Sequence, residues 1–438
     1  MARTAKLVGV IGAELRGLWR SPQWRRLIGL RAVGQAGDGI FQAGLAFLFF
    51  FTPENALTPA GVALGFGVLL GPFTLVGPWA GVLLDRWRRR SVLVVGSLAK
   101  AGLALLAGLV VAADAASPAI YVLALTCLSV NRFVLASLGA VLPKTVPPPA
   151  LLTANAITPT IGTISAGVGA VMGLGLAGWT GQAGRPVVVA LAGLAFLGAG
   201  LVARGFPAGL LGPEAPVESV KAAFRALAHG LAGAARYLVR RRTPAAALGV
   251  MALTRLAYGL LFMASILMSR NLLSDPSKSS DDLAVFGQIL TCTGVGFGLA
   301  VVVTPLAHQR LSPRVWITCC LGLAVAAQAA LACTYARPVL LAGAGLLGLA
   351  SQGTKIAVDT MVQRDTADRF RGRAFALYDV AYNAAFILAA VLGAALLPVG
   401  GYSTAAFLGL AAFYLAILAL HLAAPATPRP IPGVAAAN

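Results

Sequence analysis

Acid is what this chain of 438 residues has least of. Asp and Glu number 14 against 34 Lys and Arg, and charged residues of both signs make up only 11% of the total. A soluble domain carries roughly 25% charged residues, so this chain could not cover a water-facing surface. Histidine is almost missing. His229, His308 and His421 are scattered, whereas an intramembrane enzyme needs clustered His, Asp or Glu ligands or an activated nucleophile. Catalysis is therefore not expected. The five cysteines (Cys127, Cys292, Cys319, Cys320 and Cys333) sit inside apolar runs without metal-ligand spacing and read as small buried hydrophobes. Neither a metal nor a cofactor is expected. The apolar stretch 7–13 is short and ends at Glu14, so no cleaved leader is expected either.

What is abundant is apolar: 58% of the residues are hydrophobic. They come in runs of about 20, the length that carries a helix across a bilayer. Barrel strands would instead alternate over ~10 residues. In lipid only helices and closed barrels satisfy their own backbone groups. The chain is thus predicted to be an all-α membrane protein of twelve transmembrane helices. The predicted spans cover residues 27–51, 59–84, 91–113, 119–142, 154–179 and 186–203 in the first half. In the second half they cover 244–268, 283–307, 315–336, 338–361, 374–397 and 404–422.

The net charge of +20 invites a nucleic-acid reading, but a basic nucleic-acid module gathers its charge on one soluble face. Here most basic residues fall in the loops on one side of the membrane. Only Arg185, Arg270, Lys278 and Arg337 fall in loops on the other. That bias places both termini in the cytoplasm and makes the number of spans even. A cytoplasmic segment 1–26 precedes the spans. Its Leu7, Ile11, Leu15 and Leu18 share one helical face, and Trp19 and Trp24 suit headgroup depth, as in an in-plane anchoring helix. A solvated extension is the alternative.

The chain divides into two predicted six-helix bundles, 27–203 and 244–422. They are joined by a basic cytoplasmic linker, 204–243, and followed by a tail, 423–438. The halves align at a constant offset of 220 residues: Asp38-Gly39-Ile40 meets Tyr258-Gly259-Leu260, Leu142-Pro143 meets Val362-Gln363, and Gly173 meets Gly393. Parallel repeats of this kind build a midplane site between two halves in many transporters.

The loop after the second span reads Gly81-Val82-Leu83-Leu84-Asp85-Arg86-Trp87-Arg88-Arg89-Arg90. Gly81 permits close helix packing. Asp85 can accept charge-assisted hydrogen bonds, and the arginines suit the anionic inner leaflet. This segment resembles the loop motif Gly-x-Leu-x-Asp-Arg-x-Gly-Arg-Arg of the major facilitator superfamily, with Arg88 where the family has glycine. Further segments resemble the superfamily's drug and metabolite exporters, which include enterobactin exporters, macrolide efflux pumps and lysophospholipid transporters. They are Trp24-Arg25-Arg26-Leu27 with Gly37-Asp38-Gly39, Leu142-Pro143 with Leu152-Thr153-Ala154-Asn155-Ala156, and Gln363 with Arg371-Gly372-Arg373. The resemblance implies a cytoplasmic gate built from Gly81, Asp85, Arg86, Arg89, Arg371 and Arg373.

Charges inside spans need partners or a watery cavity. Arg31, Gln35, Asp38 and Gln42 form one polar stripe on the first helix. Asp38 has no opposite charge at i±3 or i±4 and is the candidate proton carrier. Gln35, Arg132, Arg255, Gln352, Lys355 and Asp359 are candidate cavity residues, although Lys355 and Asp359 can simply pair with each other. Lys100 reads as shallow enough to snorkel. Basic residues outnumber acidic ones within the spans, which favours an anionic or zwitterionic substrate. Tyr258, Phe262, Met263, Tyr378 and Tyr382 suit an amphipathic one.

The expected function is a proton-coupled exporter of a small amphipathic organic compound (a drug, siderophore or other metabolite), monomeric and set in the plasma membrane. Its partners are that compound, protons and the lipid bilayer. The alternatives are a lipid or lysolipid transporter moving an anionic amphiphile between leaflets, and a sensor that has lost transport. Reporter fusions at Asn438 and after Pro276 should report opposite sides of the membrane. A cytoplasmic signal from the Pro276 fusion overturns this topology.

Overall fold

The computed structural model describes residues 16–51, 59–76, 87–114, 117–147, 150–180, 184–207, 220–274 and 281–427. Gly81, Asp85 and Arg86 of the loop motif lie outside the described residues, as does most of the segment before the first span.

The described chain is helical. In the first half the helices are α1 (Pro22–Phe51), α2 (Pro59–Leu75), α3 (Arg89–Ala113), α4 (Ala119–Thr145), α5 (Leu151–Thr180) and α6 (Arg185–Arg204). The linker contributes α7 (Val220–Arg241). The second half has α8 (Thr243–Asn271), α9 (Asp281–His308), α10 (Pro313–Cys333), α11 (Arg337–Asp365), α12 (Asp368–Leu396) and α13 (Thr404–Ala423). Proline marks several starts, because its fixed φ and missing N–H suit the first helical turn: Pro186, Pro244, Pro313 and Pro338 each stand there. Ser312 and Ser403 cap α10 and α13 by accepting from Val315 N and Ala406 N. Pro159 lies inside α5.

Among the described residues, ten helices are long and apolar enough to cross a membrane. Their outward side chains are apolar: Leu109, Val171, Trp179, Val302 and Leu396 are more than 60% exposed. Asp38, Lys100 and Asn131 are buried. That inversion of a soluble protein's surface is what a lipid solvent demands. α1 is not among the ten, although it is 30 residues long, because its polar stripe lowers its hydropathy.

The chain forms two compact units, residues 1–55 with 71–224, and residues 56–70 with 225–438. In the first unit α1 packs on α5 and α6, and α3 packs on α4 and α6. In the second, α8 packs on α12 and α11, α9 on α11, and α10 on α11 and α13. The pairs α1·α5 and α3·α6 thus recur as α8·α12 and α10·α13. The recurrence reaches single residues. A Cβ on Gly39 would strike backbone of Ala166 and Ala170, and one on Gly259 would strike side chains of Phe386 and Ala389. A Cβ on Gly173 would meet Ile40 and Ala43, and one on Gly393 would meet Leu260 and Met263. Most of these partners stand 220 residues apart, the offset read from the sequence.

The end of the first unit that carries the start of α1 and the end of α6 is a packed core. Leu18, Trp24, Leu27, Leu93, Val141, Ala203 and Phe206 all lie in it. Trp24 is completely buried there, so only the half-exposed Trp19 remains available for headgroup depth. Arg26 and Arg90 donate to the terminal carbonyls of Gly205 and Arg204 at 2.6 and 2.8 Å, and Arg314 donates to those of His421 and Leu422 in the second unit. Each places positive charge on a helix C-terminus, where the dipole favours it.

Gly39→Ala and Gly259→Ala should each lower the detergent melting temperature, because overpacking costs about 1–3 kcal/mol. Gly167→Ala meets nothing within 4 Å and should be neutral or raise it, since alanine is the better helix former by about 1 kcal/mol. Equal behaviour at all three positions would mean that these glycines do not set the helix spacing.

Candidate functional site

Among the described residues, each unit holds a cluster of polar groups inside its helices, buried in the first unit and mostly half-buried in the second. In the first, Lys100 from α3 donates to Asp38 Oδ1 from α1 at 2.6 Å and to Asn131 Oδ1 from α4 at 2.8 Å. Asp38 is 4% exposed, and Lys100 and Asn131 are each 2% exposed. The ammonium also lies 3.9 Å from the centre of the Phe196 ring on α6, where the ring's negative face attracts it. Four helices therefore meet at one ion pair. Arg132, the next residue along α4, is close enough to act on the Asp38 charge. Gln35 and Arg31, one and two turns before Asp38, lie over Gly162 of α5, whose missing side chain makes room for them. A cavity of about one water's size adjoins Arg31, Gln35, Asp38, Lys100 and Asn131.

Lys100 does not snorkel. It lies eleven residues into α3, about 17 Å along the axis at 1.5 Å per residue, which is roughly half the hydrocarbon thickness. Its stem is too short to reach water from there, so it turns inward to the carboxylate. The partner that Asp38 lacks on its own helix is thus supplied by α3.

The second cluster is aromatic. Arg255 on α8 lies over Tyr382 and Phe386 of α12 at 4.1 and 4.2 Å, and 5.4 Å from Tyr258 on its own helix. Tyr378 stacks on Tyr382 with ring planes 13° apart. Nearby on α11, Lys355 donates to Asp359 at 2.8 Å, the i, i+4 pair that the sequence allows. The Tyr378 hydroxyl faces the same Asp359. Gln352 stands one turn before Lys355 on α11, half-buried.

The arginines assigned to the gate are placed only in part. Arg89 opens α3, and its carbonyl accepts from Ser137 of α4 at 3.3 Å. Arg371 pairs with Asp368 one turn earlier. Arg373 lies against Gly230 of α7. The linker helix docks on this α11–α12 connection: Ala367 N donates to the Tyr237 hydroxyl at 3.1 Å, Arg241 donates to the Asp365 carbonyl at 3.2 Å, and Tyr237 stacks on Phe370. Sequence reasoning did not single out Tyr237, Phe196 or Phe386. A Tyr on the apolar face of an amphipathic linker helix was the one readable signal among them.

A bundle of apolar helices with charges held inside it is a multi-pass integral membrane protein. The model of the Major Facilitator Superfamily matches residues 249–437. Two proteins described as uncharacterized MFS-type transporters, from Mycobacterium bovis (strain ATCC BAA-935 / AF2122/97) and Mycobacterium tuberculosis (strain ATCC 25618 / H37Rv), are each 33% identical over 424 residues. Those matches cover 95% of this chain and 95% of theirs. Among solved structures, a variant of the nucleoside transporter NupG superposes with a TM-score of 0.67 at 15% identity, over 91% of this chain and 98% of its own. A POT family transporter bound to a thioalcohol-conjugated peptide also reaches 0.67, at 12% identity, over 93% and 96%. These two show likeness of fold alone. The chain belongs to the major facilitator superfamily of membrane transporters.

Removing one partner of a buried ion pair leaves a stranded charge, at a cost of about 3–5 kcal/mol. Lys100→Met should therefore lower the melting temperature more than Asp38→Asn/Lys100→Met does. A double variant no more stable than Lys100→Met would show that the pair is not what holds α1 to α3.

Proposed function

We propose that this chain is a proton-coupled exporter of a small amphipathic organic compound, working by alternating access with Asp38 as the proton carrier. The observation that carries the reading is the buried Asp38–Lys100 pair, fastened to Asn131. A proton arriving on Asp38 neutralises the carboxylate and releases the ammonium of Lys100 from its ion pair. The charge inside the bundle then rises by one, in a medium where an uncompensated charge is expensive. The bundle must then rearrange or find an anion. The water-sized cavity beside the pair offers a place from which a proton can arrive.

In this reading the twelve spans are α1–α6 and α8–α13, in two six-helix halves, with both termini in the cytoplasm and the protein in the plasma membrane. α1 has 30 residues, about 45 Å of helix at 1.5 Å per residue, ample for a hydrocarbon core of ~30 Å. Export as the direction rests on the likeness of 24–39, 142–156 and 363–373 to the superfamily's exporter segments.

The test is Asp38→Asn in proteoliposomes, with a substrate chosen by thermal-shift screening. The variant should lose transport driven by a pH gradient and keep substrate exchange at equal pH. Gradient-driven transport that survives the substitution removes Asp38 from the carrier role.

A further inference from the structure

The repeat places the two clusters at related positions and fills them differently. At the 220-residue offset, Gln35 corresponds to Arg255 and Asp38 to Tyr258, and the glycine contacts of α1 and α8 recur in register. The first unit thus holds an acid and answers it with Lys100. The second holds a cation, and the position that would carry the answering acid is a tyrosine. Asp359 is already taken by Lys355. Among the described residues, the groups acting on the charge of Arg255 are Tyr382, Tyr258 and Tyr378, none of them a carboxylate. Its Nε is sealed from solvent without a hydrogen-bond partner among the described residues.

Sealing even one N–H of a half-buried guanidinium from water without an acceptor is costly. Aromatic faces offset part of that cost, but they touch the faces of the guanidinium. Its edge, the row of N–H donors, is what recognises a planar oxyanion bidentately. Rings around a cation with an unused edge form the complement of an oxyanion attached to a flat apolar body.

We propose that Arg255 is the anion-binding residue of the second unit, taking the carboxylate, sulfonate or phosphate group of an organic compound whose flat apolar portion lies against Tyr382 and its neighbours. Calling that compound the substrate rests on the transport reading above. The binding site itself does not.

The experiment uses the full chain in phosphatidylcholine nanodiscs and measures binding at neutral pH. The probes are 2-naphthoate, 2-naphthalenesulfonate and phenyl phosphate, each beside a neutral isostere such as 2-naphthamide. Inorganic phosphate and phosphatidylglycerol serve as anions without the flat body. At least one aryl anion should bind about tenfold or more tighter than its isostere, the worth of one charge-assisted contact. Arg255→Gln should erase that preference, Arg255→Lys should retain part of it, and Tyr382→Leu should weaken acid and isostere alike. Competition by phosphatidylglycerol but not by any aryl anion would make this a headgroup site and overturn the proposal. So would equal binding of every acid and its isostere by the unaltered protein, a result that needs no variant to fold. Asp38→Asn should leave the preference intact. A carrier role disproved there and a binding preference lost here are thus separate outcomes.

Discussion

A bilayer core offers a charged group no solvent, so each charge carried inside the helices has to find its counterpart in the protein. The structure meets that demand in several ways. Lys100 and Asp38 neutralise each other and take Asn131 and Phe196 as further company. Lys355 and Asp359 pair within a single helix. At the helix ends, Arg185 lies over the Phe47 ring and Arg314 reaches the last carbonyls of α13. Among the described residues, Arg255 has aromatic rings as its company. These solutions differ in what they leave over. The Lys100–Asp38 pair closes with Asn131, and the ring-held arginine keeps N–H donors to spare.

The duplicated architecture explains why that difference arises. Gly39 and Gly259 bring α1 and α8 into close contact with α5 and α12, and Gly173 and Gly393 do the same from the opposite helices. With the helix pairs set by small residues, the positions between them can diverge in chemistry without shifting the frame. Position 38 became an acid and position 258 a tyrosine. The scaffold is symmetric, and its chemistry is not.

Much of this was readable from residues in order. A charge in an apolar run is costly enough to be conspicuous, so Asp38, Arg132 and Arg255 stood out without any structure. The offset of 220 residues was visible in a few aligned glycines, and the structure turned it into shared contacts. Depth was harder. Lys100 reads as shallow in a third span that begins at Ser91, yet it sits about halfway along α3. Which ring lies over which cation cannot be read from spacing, because Phe196 and Phe386 come from helices far along the chain. Trp24 was assigned to the headgroups on composition, and packing against Leu18 and Leu27 took it into the core instead. The second-span loop carried the most specific resemblance, and its Gly81, Asp85 and Arg86 fall outside the described residues.

The same packing decides where a change of charge at Asp38 is felt. On one side α1 lies against α5 with backbone close to backbone at Gly39 and Gly169, so that interface is stiff. On the other side Asp38 is held by the long Lys100 side chain, whose ammonium also donates to Asn131. That side chain has rotamers to spare and loses its strongest bond once the carboxylate is neutral. Relief is therefore cheaper towards α3 and α4 than towards α5. Arg132 is the residue beside Asn131 on α4 and already acts on the Asp38 charge. A proton at Asp38 thus changes the field at Arg132 even before any helix has moved.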